Sequence, residues 1–228
     1  MAYAPDNLQV PKVTALKLPP IELLHTILSA DLLIIPPGTP IYRAAWVPDA
    51  VWPAAVTRGY RFGPPDEVTS AGAFPFFWVY AAPLPFTATW EAQLCKNPAT
   101  MPGKFIISPG ADRALIATLV FDQPLHLLDL TGHAASKLGV YDMLRSPDYG
   151  LSQWLGVQLD QVISGHQGAV HGIAYPSRKH PGHNAFAISS RVQASLAGGL
   201  IRSVQSFGES ELFTKLVLDP CCVDRQWV

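Results

Sequence analysis

The sequence predicts an α+β fold, a mixed and mainly antiparallel sheet core with helices around it. Three observations carry this. Segments with strand character outnumber helical ones. The two kinds alternate irregularly, without the strand–helix–strand rhythm that a doubly wound parallel sheet requires. Hydrophobic residues make up 49% of the 228, enough to close a sizeable core in one domain, or in one domain with a lid.

The elements follow from local signals. Residues 1–18 read as extended and weakly ordered. Pro19-Pro20 then leads into a helix over 21–28, because proline is tolerated at the start of a first helical turn. Pro36-Pro37-Gly38 breaks the chain before a strand at 41–46. Further strands are expected at 75–81, 104–107, 114–121, 125–129, 169–175, 184–189 and 212–218 from their apolar, β-branched and aromatic content. Helices are expected at 87–96 with Thr87 as N-cap, at 132–139, and at 151–164. In the last, Leu151, Trp154, Leu155, Leu159 and Val162 recur at helical spacing. There is no internal repeat.

Composition excludes several classes of function. Net charge is −1 and the 16 basic residues form no run, so no nucleic-acid footprint is present. No apolar segment approaches the ~18 residues a membrane span needs. The N-terminus lacks the basic and apolar regions of a signal peptide, and Cys95, Cys221 and Cys222 match no metal or disulfide pattern. A cytoplasmic chain is the expectation. Only 14% of residues are charged, against about 25% usually. That suggests a surface covered by a second copy or by another protein; a large core with a Ser/Thr/Pro-rich surface reads equally well.

Two polar residues stand out in apolar surroundings. Tyr80 closes the run Phe74-Pro75-Phe76-Phe77-Trp78-Val79-Tyr80, and Glu91 follows eleven residues later within Thr87-Ala88-Thr89-Trp90-Glu91-Ala92. With a helix opening at Thr87, Ala88, Glu91, Ala92 and Cys95 share one face, leaving room for a ligand beside the carboxylate. A partly exposed glutamate favoured by a helix N-terminus is the plainer alternative. Tyr80 reads as a core tyrosine or as a ring that stacks on a flat ligand. Arg43 and Arg61 lie in strand contexts, where a guanidinium must pair internally or meet an anion such as a diphosphate. The stretch from His171 to Asn184 ends a strand and opens a loop holding Ser177, Arg178, Lys179, His180 and His183, a natural place for a binding site. His171, His180 and His183 fit no standard zinc spacing, and the flanking cations disfavour a metal. There is no Gly-x-Ser-x-Gly elbow and no glycine-rich phosphate loop.

Taken together, Tyr42-Arg43, Arg61-Phe62, Tyr80 with Glu91, and Gly172-Ile173-Ala174-Tyr175-Pro176-Ser177 resemble the RES-domain family over about residues 38–190. The resemblance implies an ADP-ribosyltransferase-like fold. It also implies the activity of a toxin from a bacterial toxin–antitoxin pair that breaks the nicotinamide–ribose bond of NAD by phosphorolysis or hydrolysis. Transfer of ADP-ribose to a protein, and a non-catalytic binding module, are the alternatives. NAD is then a substrate and not a cofactor, with inorganic phosphate a candidate co-substrate and no metal. Glu91, Arg43 and Tyr80 would be catalytic, and Arg43, Arg61, Tyr80 and Ser177 would bind NAD. An antitoxin with a helix-turn-helix region would be the protein partner. Residues 1–37 would form an extension and 38–228 the catalytic domain. The chain departs from the family pattern at Gly63, where asparagine is common, and at Trp90, bulkier than the usual small residue.

Overall fold

The computed structural model describes residues 10–69 and 73–223. Two helices, α1 (Lys12–Ala15) and α2 (Ile21–Ser29), precede strands β1 (Leu32–Ile35) and β2 (Ile41–Ala45). After a long irregular segment come β3 (Trp78–Ala81), α3 (Pro85–Glu91), the short strands β4 (Cys95–Lys96) and β5 (Ile106–Ile107), then β6 (Leu115–Phe121) and β7 (Leu125–Asp129). Helices α4 (His133–Lys137), α5 (Tyr141–Arg145) and α6 (Gly150–Gly165) lead to β8 (Gly172–Pro176) and β9 (Asn184–Ser189). The described chain closes with α7 (Gln193–Ala197), β10 (Leu200–Ser206) and α8 (Glu211–Val217).

The strands make a five-stranded sheet, ordered β1-β7-β8-β9-β3, and a three-stranded sheet, ordered β10-β6-β2. Among the described strand pairs only β7–β8 is parallel, so the α+β expectation of a mixed, mainly antiparallel core holds. The sheets meet where Tyr42 and Ala82 exchange backbone hydrogen bonds, each of 2.8 Å.

Strand periodicity builds the core in layers, because successive side chains point to opposite faces. In β8, Ile173 and Tyr175 pack with α2, α5 and α6, through Leu24, Leu144 and Leu155 among others. Ala174 between them faces the second layer, which joins the two sheets through Ile41, Leu119, Leu127 and Ile188. A third cluster lies around α3 and α8, with Ala88, Leu94, Phe105 and Leu212. Each fully buried Leu or Ile in these layers stabilises the fold by about 1.5–3 kcal/mol. Asp160 of α6 is fully buried but forms a two-pronged pair with Arg191, at 2.7 and 2.6 Å.

Several expectations are corrected. Residues 212–218 fold as helix α8, not a strand: Ser210 caps it by accepting from the Phe213 N–H at 3.1 Å, and Leu212 and Leu216 bury one helical face. The helix expected at 87–96 runs from Pro85 to Glu91, with Leu84 and not Thr87 at the N-cap. It stops because Gln93 turns left-handed, φ +57°, and the chain re-enters a strand at Cys95. Glu91 therefore ends its helix instead of sitting near its opening. In the 104–107 region only Ile106–Ile107 is strand. Of the weakly ordered stretch expected at 1–18, residues 1–9 lie outside the described residues, while Lys12–Ala15 is helical. Strands β1 and β10 and helices α5 and α7 were not among the expected elements.

Candidate active site

Four of the five predicted residues, Arg43, Arg61, Tyr80 and Glu91, converge on one cavity of about 570 Å³, and Ser177, expected to bind NAD, does not line it. Its wall includes Arg43 from β2, Tyr80 from β3, Glu91 from the end of α3, and Arg61 from the loop between β2 and β3. Tyr175 and Arg178, at the end of β8 and just after it, complete the polar part.

Glu91 is held where its own helix disfavours it. A carboxylate at a helix C-terminus loses roughly 0.3–1 kcal/mol to the helix dipole. Two hydroxyls offset this. Ser177 Oγ donates to Glu91 Oε1 at 2.5 Å, and Tyr175 donates from its hydroxyl to Oε2 at 3.0 Å. Bonds of this charge-assisted kind contribute about 1.5–3 kcal/mol each. Ser177 is fixed in turn by the His180 N–H, which donates to its Oγ at 2.9 Å. Ser177 is buried behind Glu91 and forms no part of the cavity wall.

Arg61 is the opposite case. Its side chain is deeply enclosed, with the residue 6% exposed, yet Nε and one terminal nitrogen have no hydrogen-bond partner. The guanidinium lies over the rings of Phe62, at 5.2 Å, and Tyr175, at 5.7 Å. Burial pulls its pKa down; Tyr175 and Glu91 push back, and Arg178 pulls it down further. A buried, unsatisfied guanidinium costs free energy, and a planar fork in that state is matched by a phosphate or carboxylate. The loop beneath it is fixed: the Phe62 N–H donates to the Tyr80 hydroxyl at 3.1 Å, and Trp78 Nε1 donates to the Phe62 carbonyl at 2.6 Å.

Arg43 spends its donors on the backbone. Nε donates to the Ala50 carbonyl at 2.8 Å and Nη1 to the Tyr80 carbonyl at 2.5 Å. Burial lowers its pKa to about 10, which leaves it charged at neutral pH. Tyr80 meets Tyr60 and Tyr175 edge-on, at 6.0 and 6.4 Å, and its hydroxyl is held well above its usual pKa chiefly by burial. Lys179, also on the wall, has its pKa lowered first by burial and then by Arg178.

His171 lies apart from the stacked pair His180 and His183. His171 accepts through Nδ1 from the His126 N–H at 3.0 Å, on the β7–β8 side. His180 stacks on His183, 4.0 Å between ring centres, and its Nδ1 lies 3.0 Å from Thr87 Oγ1. Among the described residues no three His, Cys, Asp or Glu side chains converge as metal ligands would. Cys95 is buried, and burial pushes its thiol up to about 12; Cys221 is exposed.

Tyr175 is the site residue that sequence reasoning left without a role. The signal existed: it stands two positions before Ser177 at the end of a strand, so both side chains can reach one carboxylate.

A RES-domain family model matches residues 40–203. Among solved structures, a chain from the crystal structure of the M. tuberculosis MbcT–MbcA toxin–antitoxin complex is similar in fold, with 18% identity and a TM-score of 0.53. The match covers 81% of this chain and 93% of that one. No curated protein matches the chain.

Proposed function

The chain belongs to the RES-domain family, and on that premise we propose that it is the toxin of a toxin–antitoxin pair and consumes NAD by cleaving the nicotinamide–ribose bond. One observation carries this reading. A carboxylate pinned by two hydroxyls, Glu91, shares a cavity with a buried guanidinium that has no acceptor, Arg61. The first suits a sugar centre that becomes cationic, and the second suits a diphosphate.

In the reaction the C–N bond to nicotinamide breaks and its electron pair leaves with the ring nitrogen, giving neutral nicotinamide. Positive charge builds on the ribose carbon, as in glycoside cleavage. Glu91 stabilises that charge and binds the ribose hydroxyls. An oxygen of water or phosphate then bonds to the carbon and gives up its proton. Arg61 holds the diphosphate, with Arg178 and Lys179 beside it. Arg43 frames the pocket between β2 and β3, and Tyr80 shapes the nicotinamide end. Ser177 acts through Glu91.

The catalytic unit is assigned to residues 38–228 and the extension to 1–37, whose Leu24 and Leu28 share the core of α6. No helix among the described residues is long and apolar enough to cross a membrane, and we place the activity in the cytoplasm. The partner is an antitoxin with a helix-turn-helix region that covers the cavity mouth. Trp46, 43% exposed, and Val47, 54% exposed, offer it an apolar rim.

The test is to incubate purified protein with NAD, with and without phosphate, and to follow nicotinamide and ADP-ribose products by mass spectrometry. Release that requires phosphate identifies phosphorolysis, and release without it identifies hydrolysis. No release from folded protein would overturn NAD degradation and turn attention to transfer onto a protein.

A further inference from the structure

Glu91 and Arg61 carry opposite charges in the same cavity and yet form no ion pair. In a partly desolvated pocket such charges attract strongly, and a pair would satisfy the unpartnered nitrogens of Arg61. Something must hold them apart.

We propose that Tyr175 is the positioning residue that keeps Glu91 from closing onto Arg61, so that the guanidinium stays open to the diphosphate of the substrate. This rests on the reading above in taking a dinucleotide diphosphate as the anion.

Tyr175 touches both charges in different ways. Its hydroxyl donates to Glu91 Oε2 at 3.0 Å. Its ring face lies under the Arg61 guanidinium at 5.7 Å, a contact that stabilises the cation without using its N–H donors. The side chain itself cannot follow either partner. It is fully buried, wedged edge-on against Phe62 at 4.9 Å and against Tyr80 at 6.4 Å. Ser177 holds the other carboxylate oxygen and is itself fixed by the His180 N–H. Of the two hydroxyl residues, Tyr175 is the one whose ring is also packed against the Arg61 guanidinium.

Inorganic pyrophosphate, an anion with no glycosidic bond to cleave, is the probe, titrated by calorimetry. Tyr175→Phe keeps the ring packing and loses the donor. Glu91 is then expected to take the guanidinium, weakening pyrophosphate binding about ten- to a hundredfold. Adding Glu91→Gln to Tyr175→Phe is expected to restore the affinity of Glu91→Gln alone, a rescue that a packing role for Tyr175 would not produce. Ser177→Ala, with Tyr175 still in place, is expected to bind pyrophosphate nearly as well as the unaltered chain. Unchanged binding by Tyr175→Phe, a double variant as weak as Tyr175→Phe, or a large loss in Ser177→Ala would each overturn the assignment. The last arm decides even if Tyr175→Phe does not fold. Pyrophosphate binding that follows this pattern without any NAD turnover would sink the proposed activity and leave Tyr175 in its role. NAD turnover with pyrophosphate binding indifferent to Tyr175→Phe would do the reverse.

Discussion

A Cβ on Gly156 would stand 2.0 Å from the carbonyl oxygen of Phe62. Helix α6 thus touches the Arg61–Phe62 loop backbone to backbone, and the absence of a side chain at 156 sets the height of that loop above the cavity. Gly156→Ala must push the loop away, because the carbonyl is also held by Trp78. The expected outcome is a loss of about 1–3 kcal/mol in stability from overpacking, read by urea denaturation. Substrate affinity should fall with it as Arg61 moves. A variant as stable and as active as the unaltered chain would show that the loop has slack.

Glu91→Gln retains the shape of the side chain and removes its charge. Nicotinamide release is expected to fall by about 10²–10³, the usual effect of removing one preorganised group, in protein whose circular dichroism shows it still folded. Near-normal turnover would remove Glu91 from the chemistry.

Arg61→Met should separate stability from function. The apo protein sheds a buried charge with unsatisfied donors, so its unfolding free energy is expected to rise by about 1–3 kcal/mol, seen as a higher denaturation midpoint. NAD turnover should disappear. Both are measurable on one sample. A marked drop in stability would mean that the contacts with Phe62 and Tyr175 make Arg61 a structural pillar.

Stability should decline in mild acid. His166, His171 and His180 all have pKa values lowered first by burial and then by a neighbouring histidine. For a group lowered in this way the unfolded chain binds the proton more readily. The stabilisation is complete above the unfolded value of about 6.5 and is lost as pH falls through the lower folded value. His171 gives this a clear cause, since its Nδ1 must be bare to accept the His126 N–H. Urea midpoints measured from pH 7.5 down to 5 should fall, and His171→Gln should flatten the trend. A midpoint that is constant over this range would refute it.

The sequence made most strands legible, together with helix α6, because their apolar periodicity is long enough to read. It misled at 212–218, where Leu212, Phe213, Leu216 and Val217 fit either period; the Ser210 cap decided for helix. It passed over β10, whose residues are mostly exposed and so carry little apolar alternation. At the site, Arg43, Tyr80 and Glu91 were identifiable as polar groups in apolar runs. The separate duties of Arg61, Tyr175 and Ser177 were not, because hydrogen-bond direction and the absence of a partner are properties of the assembled cavity and not of any one segment.

The hydroxyls that fix Glu91 lie 84 and 86 residues further along the chain. A ribosome adding about 5–20 residues per second delivers Ser177 about four to seventeen seconds after Glu91. Throughout that interval the nascent chain carries the Glu91 carboxylate without the two hydroxyls that hold it, so the site cannot assemble before β8 and the turn after it are made. The Glu91 end of the cavity is therefore completed only when the strands of the large sheet come together.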